Sequence, residues 1–345
     1  MIRTAFRSAG ALGGPAGAIL LAFALAAVAM LIAGVSPLDG FSALFLGSLG
    51  GRSQLAETLV QTTALLFPAL GVCVAFRAGL FNIGAEGQLL IGGLAAGALG
   101  AHLNVPAPLA AIALFAAGIA GGGLWGALAG WLRAKFSASE IISTLMLNFI
   151  AFSVASYLVS GPLKASAASG AQTAPLAPGA WLPILVPGTR LSVALLVALA
   201  CAVALLWTLN RTVFGYELRA SGEAPEAARR NGVNMARMTV LALTLSGAIA
   251  GAGGAAIVGG VLHRFNTQLS PGYGYTAIAV ALVGDLHPLW ICAAAFGFGI
   301  LESGGLAMQA LADVPKDAIH VIEGLIVLVL AARRYIATRA EAVPL

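Results

Sequence analysis

Apolar stretches long enough to cross a bilayer as helices recur along nearly the whole of this chain, and that recurrence leaves few folds open. Hydrocarbon about 30 Å thick takes about 20 residues of helix to cross. Ten such stretches run over 16–35, 56–76, 87–103, 107–131, 140–160, 191–210, 238–261, 274–284, 289–311 and 318–332, two of them short. The polar segments between them are brief, and no separate soluble domain is visible. With 60% of residues apolar and 9% charged, the composition lies outside the soluble globular range. The expectation is an all-α polytopic membrane protein of about ten transmembrane helices, some short or broken, as one transmembrane domain over residues 1–345.

Charge sets its orientation. If the N-terminus is cytoplasmic and every segment crosses, Arg3, Arg7, Arg77, Arg133, Lys135, Arg211, Arg219, Arg229, Arg230, Arg237, Arg333, Arg334 and Arg339 lie inside. Arg52, Lys164, Arg190, Arg264 and Lys316 lie outside, so the 18 basic residues divide thirteen to five. That is the bias of the positive-inside rule, and it predicts both termini in the cytoplasm. The net charge of +5 then reflects topology and not a nucleic-acid partner. Arg3 and Arg7 before an apolar run also resemble a signal peptide. The run from Ala16 to Val35 is longer than a usual signal core, so it is read as a retained first helix.

Small residues at four-residue spacing let membrane helices approach closely. Gly118, Gly122, Gly126 and Gly130 form one such ridge, and Gly247, Gly251, Ala255 and Gly259 another; both are read as packing surfaces. The segment 56–76 is followed by a polar break, "RAGLFNIGAEGQ", and a short apolar run. The segment 238–261 is followed by "HRFNTQLSPGYGY" and "TAIAVALVG". On the topology above the first break is cytoplasmic and the second outer, as in two inverted halves, and such breaks point to a transporter's pathway. Cys73, Cys201 and Cys292 are odd in number and form no CxxC pair.

Two loops stand out. Residues 161–190, with Pro162, Pro175, Pro178, Pro183 and Pro187, read as an outer (periplasmic) loop, either a docking surface or a connector. Residues 211–237 are cytoplasmic and hold a short helix. Pro225 suits its first position. Glu223 and Glu226 favour its N-terminal end, and Arg229 and Arg230 its C-terminal end. Asn231 and Gly232 supply a left-handed stop. Two turns, roughly 9 Å, are marginal alone and call for a packing partner.

In order along the chain, "AFRAGLFNIGAEGQLLIGG", "SEIISTLMLNFIA", "GYELRASGEAPEAARRNGVN", "GYGYTAIAVALVGDLHPLW" and "GGLAMQ" resemble the permease subunits of bacterial ABC importers for simple sugars and nucleosides. The likeness is greatest to the larger of two permeases that work with a basic-membrane-protein-type nucleoside-binding lipoprotein. It runs from about residue 55 to 335. The resemblance implies a multi-pass protein of the inner (plasma) membrane, with an ATP-binding cassette subunit, a second permease, in a heterodimer, and an extracytoplasmic binding lipoprotein as partners. It makes Glu223, Ala224, Pro225, Glu226, Ala227, Ala228, Arg229, Arg230, Asn231 and Gly232 the coupling helix that docks on the ATPase. None of the three lysines follows a glycine, so the chain has no Gly-Lys-Ser/Thr phosphate cradle. ATP and Mg would be bound by the partner ATPase, and no cofactor is expected in this chain. His102, His263, His287 and His320 show no metal-ligand spacing, and no nucleophile constellation points to an enzyme.

Ionisable groups at membrane depth face a bundle interior or water. Glu140 is read as stabilising a helix start, and His320 with Glu323 as a local pair exposed at the interface. The expected pathway residues are Asn82, Glu86, Gln88, Asn148, Phe265, Asn266, Gln268, Tyr273, Tyr275 and Glu302. Carboxamides and carboxylates can hydrogen-bond ribose hydroxyls or base edges, and aromatic rings can stack. Asn82, Glu86 and Gln88 either hold the break in shape, the favoured reading, or touch cargo. An ion-coupled secondary transporter using Glu86 or Glu302 is the alternative function.

Overall fold

In the computed structural model the described residues are 15–32, 34–103, 105–166, 170–312 and 314, with 321, 323–325 and 328. Twelve α-helices occur among them: α1 Pro15–Ile32, α2 Pro37–Leu49, α3 Arg52–Arg77, α4 Ala85–Gly100, α5 Ala107–Phe136, α6 Glu140–Ser160, α7 Ala194–Arg211, α8 Val213–Glu223, α9 Pro225–Arg230, α10 Met235–Ile257, α11 Tyr273–Val283 and α12 Pro288–Ala312. A π turn, Val258–Leu262, continues α10. Among the described residues, six helices are long and apolar enough to cross a membrane: α3, α5, α6, α7, α12 and α10 with its π turn.

Nine of the ten expected segments fall on a helix, while most of 318–332 lies outside the described residues. Two helices were not anticipated. One is α2, capped by Ser36, whose Oγ accepts the Asp39 amide, with Pro37 in its first turn. The other is α8, whose N-cap Thr212 accepts the Gly215 amide at 3.0 Å.

Two compact units divide the chain, Met1–Thr58 with Ile300–Leu345, and Leu59–Gly299. In the first, α2 lies along α12, with Gly304 against the backbone of Leu44 and Gly47 against Ala307. Glu302 and Glu323 are both buried there, so Glu323 is not the exposed interfacial group expected of it.

The second unit is built around α10. The two glycine ridges are partners: Gly122 meets Gly247 and Gly251, Gly118 meets Gly251 and Ala255, and Gly126 meets Leu243 and Gly247. A Cβ on Gly122 would sit 2.7 Å from Gly251 Cα, so α5 and α10 touch backbone to backbone, antiparallel. On another side α3 packs antiparallel to α10, with Gly71 at Ser246 and Phe67 at Gly253. Between these helices α4 runs parallel to α10, Gly92 against Gly251 and Gly93 against Gly254. Side chains larger than hydrogen would push these backbones apart and forfeit the dispersion contacts that hold helices together in lipid.

Segment 265–272 returns along α4 without forming a helix. Phe265 lies at Gly97, Leu269 at Gly93, and Gly274 at Glu86. That descent covers about 16 Å at 1.5 Å per helical residue. The short helix α11 therefore begins where α4 begins and ends at Arg77, whose Nε donates to Leu286 O at 3.0 Å. The two short helices start together and run apart.

Candidate functional site

The first break starts where α3 stops. Gly79, at φ +74, turns the chain out of the helix, and Ala78 to Gly84 then lead non-helically to α4. A backbone without helical bonds is tolerated in hydrocarbon only if its groups find partners. Here they do. Asn82 is fully buried; its Nδ2 donates to Gln88 Oε1 at 2.9 Å and Ser246 Oγ at 2.8 Å, and its Oδ1 accepts the Gly84 amide at 2.9 Å. Asn148, on α6, accepts the Gly87 amide at 2.9 Å and donates to Ile83 O at 2.9 Å. Thr144 Oγ1 accepts the Ile83 amide at 3.2 Å. Three carboxamides are thus spent on the break itself.

Glu86 and the aromatic residues of the second break meet this network at its edge. Gly274 N donates to Glu86 Oε2 at 2.7 Å. Ser270 accepts the Gly272 and Tyr273 amides at 3.2 and 2.9 Å and lies beside Glu86. The start of α11 is therefore capped by Ser270 and by a carboxylate from α4, which also suits its positive end. Tyr273 Oη donates to Gln61 Oε1 at 2.6 Å, and Asn148 Nδ2 donates to Tyr275 Oη at 3.2 Å. Asn82 and Gln88 are sealed, whereas Glu86 and Tyr273 are half-buried and Tyr275 is 43% exposed. These last three are the members of the constellation with surface open in the isolated chain.

The other expected pathway residues lie elsewhere. Phe265 is fully buried at the far end of α4, its amide donating to Thr173 Oγ1 at 3.0 Å and its carbonyl accepting the Thr173 amide at 3.0 Å. Asn266 pairs with Gln172 as an isolated bridge, and Gln268 is exposed. The loop 172–182 thus straps the end of α10 and the start of the second break, with Leu176 N donating to His263 O at 2.8 Å and Leu182 N to Gly259 O at 2.9 Å. Trp181 stacks on His263 at 4.0 Å between ring centroids. Burial holds the His263 imidazole below its ordinary pKa, against a smaller opposing hydrogen bond at Gly259. Glu302 belongs to the other compact unit. Glu140 opens α6 and pairs with Arg133 at 3.2 Å.

Residues 212–234 fold into two helices. Pro225 opens α9, and Glu226 pairs with Arg229 at 2.8 Å. Gly232 N donates to Arg229 O and Val233 N to Ala228 O, both at 3.1 Å, a Schellman stop with Gly232 at φ +87. Asn231, at φ −88, is not left-handed; its Nδ2 instead donates to Ala227 O at 2.9 Å. Glu223 ends α8 and does not open α9. A groove of about 280 Å³ lies between the two helices, lined by Tyr216, Arg219, Glu223, Ala227 and Asn231 among others. Gly222 of α8 rests on the Arg77–Gly79 turn.

Sequence reasoning missed Ser246, Gln61, Thr144, Ser270 and Arg77 as members of this constellation. Ser246 and Gln61 carried a usable signal, since each is a polar residue inside a long apolar helix.

Over residues 54–331 the chain matches the family described as branched-chain amino acid transport system, permease component. The chain belongs to this family. It is 35% identical to the glucose ABC transporter permease protein TsgB13 of Haloferax volcanii, covering 93% of this chain and 87% of the relative. It is 35% identical to the guanosine ABC transporter permease protein NupP of Bacillus subtilis, covering 91% of each, and 30% identical to the nucleoside ABC transporter permease protein NupB of Lactococcus lactis, covering 92% and 89%. No solved structure matches the chain. The protein is a multi-pass transmembrane subunit of an ABC importer, and membership implies an ATPase, a substrate-binding protein and a second permease as partners. The ion-coupled alternative is not favoured by these relationships.

Proposed function

We propose that this permease carries nucleosides or related simple sugars inward, both termini in the cytoplasm, and receives its ATPase on the α8–α9 unit. The observation that carries the reading is α9 itself: a six-residue helix with a complete stop signal and an exposed Glu226–Arg229 pair, held out on α8. So short a helix is marginal without packing, and an ATPase cleft supplies it. Glucose, guanosine and nucleosides, named for the relatives, are polyhydroxylated. Glu86, Tyr273 and Tyr275 suit such cargo with a carboxylate acceptor, hydroxyls and exposed ring faces. Partly buried Glu86 and exposed Tyr275 at membrane depth call for water or protein beyond them, not lipid. The second permease, in a heterodimer, faces this side across the path.

Co-expression with its ATPase, second permease and binding protein, followed by purification and vesicle uptake, tests the reading. ATP-dependent uptake of labelled guanosine or glucose is expected, with the ATPase co-purifying. Charge reversal at both Arg229 and Arg230 should release the ATPase. An ATPase that stays bound to the reversed variant at wild-type ratio, or uptake indifferent to ATP, defeats the proposal.

A further inference from the structure

We propose that Arg77 is the positioning residue through which motion of the α8–α9 unit reaches the half-helix α11. The inference rests on the reading of α8–α9 as the ATPase dock, and three observations carry it.

First, one stretch of chain holds α11 at both ends. At its C-terminal end Arg77 Nε donates to Leu286 O at 3.0 Å, beside Cys73 Sγ on the same carbonyl at 3.1 Å. At its N-terminal end Glu86 accepts the Gly274 amide. Only eight residues lie between Arg77 and Glu86 in sequence.

Second, α8 bears on that stretch with no side chain between. A Cβ on Gly222 would collide with Arg77 O and lie 2.7 Å from Gly79 N, and one on Gly79 would lie 3.0 Å from Gly222 Cα. Backbone packed on backbone transmits displacement without cushioning. If α8 moves, the 77–79 turn moves with it.

Third, the corner that Arg77 grips is unusual. Asp285 and Leu286 are consecutive non-glycine residues at φ +51 and +53. That conformation is disfavoured for residues with a Cβ and persists where surroundings impose it. The grip of Arg77 and Cys73 on Leu286 O is part of what imposes it, so releasing it offers the corner a relaxed alternative. Packed elements with two discrete arrangements are what amplify small shifts into switching. Between the two held ends lies Tyr275, the most exposed member of the site. Motion of the turn therefore changes what the path presents to cargo.

The test uses the complete transporter in proteoliposomes, reading cargo moved per ATP hydrolysed and the stimulation of hydrolysis by loaded binding protein. Arg77→Gln is expected to lower cargo per ATP by about tenfold or more, with the ATPase still co-purifying at wild-type ratio. Arg77→Lys, which keeps a donor within reach, should recover part of the loss. Gly222→Ala, which wedges the contact, should uncouple in the same sense. A wild-type ratio of cargo to ATP in Arg77→Gln, even with less complex recovered, overturns the proposal, because a merely structural residue would change yield and not the ratio. Loss of the ATPase from Arg77→Gln overturns it too, since the turn would then support docking only. These outcomes stand apart from the Arg229 and Arg230 reversal, whose failure would sink the docking reading itself.

Discussion

The amide of Gly274 donates to Glu86 Oε2 at 2.7 Å, so the carboxylate of one half-helix caps the next. Removing it leaves that amide without its acceptor in a site only partly open to solvent, at about 1–3 kcal/mol. Glu86→Ala should lower the thermal midpoint of the purified permease and its transport together. Glu86→Gln keeps an acceptor oxygen and should regain most of the midpoint. If transport stays lost in a Gln variant of normal stability, the charge serves cargo as well as the cap. A Gln variant as unstable as Ala would refute the capping account.

Asn82 is sealed and makes its hydrogen bonds to Gln88, Ser246 and Gly84. Asn82→Ala orphans several groups at once, costing about 2–4 kcal/mol on the scale of buried networks. The expected phenotype is less folded protein in the membrane. For the fraction that folds, the cargo concentration giving half-maximal uptake should be unchanged, and a shifted value would contradict the sealed geometry.

On α5, neighbouring glycines differ sharply. A Cβ on Gly122 would collide with Gly247 O, while one on Gly123 would meet nothing nearer than Ala248 Cβ at 3.4 Å. Gly123→Ala should therefore be recovered as a monodisperse peak on size exclusion in detergent, and Gly122→Leu should not. Equal behaviour of the two would mean that α5 and α10 do not touch as described.

His263 gives the 172–182 strap a pH dependence. Burial keeps its folded-state pKa below the ordinary value, so the unfolded chain binds the proton more readily and stability falls as pH drops through about 6.5. The stabilisation is fully present above that pH. His263→Gln should show a shallower loss of thermal midpoint between about pH 7 and 5 than wild type. Parallel curves would count against it.

How much of this was legible in sequence follows from which forces act locally. Hydrocarbon demands long apolar runs, so the spans over 140–160 and 107–131 announced themselves, and Pro225 with Gly232 marked both ends of α9. By contrast α2 was passed over, because its 13 residues are too few for a span and only Ser36, Pro37 and Asp39 signal it. Asn82 stood out as polar, but its partner Ser246 is 164 positions away, and nothing local reports that pairing. Nor did sequence separate sealed Asn82 and Gln88 from partly buried Glu86 and exposed Tyr275, since burial is decided by how α4 is enclosed.

Gly232 isolates the backbone contribution to coupling. It sits at φ +87, and a Cβ there would have nothing within 4 Å, so substitution costs only the left-handed conformation, about 1–2 kcal/mol for most residues. That is enough to matter, because a six-residue helix has little stability of its own. Asparagine tolerates the conformation and valine does not. Gly232→Asn should keep ATPase binding and cargo per ATP near wild type, and Gly232→Val should lower both severalfold. Since a Cβ at this position meets nothing within 4 Å in the chain, a difference between the two variants reports chiefly the helix stop. Unchanged ATP-driven uptake in the Val variant would remove α9 from the coupling path.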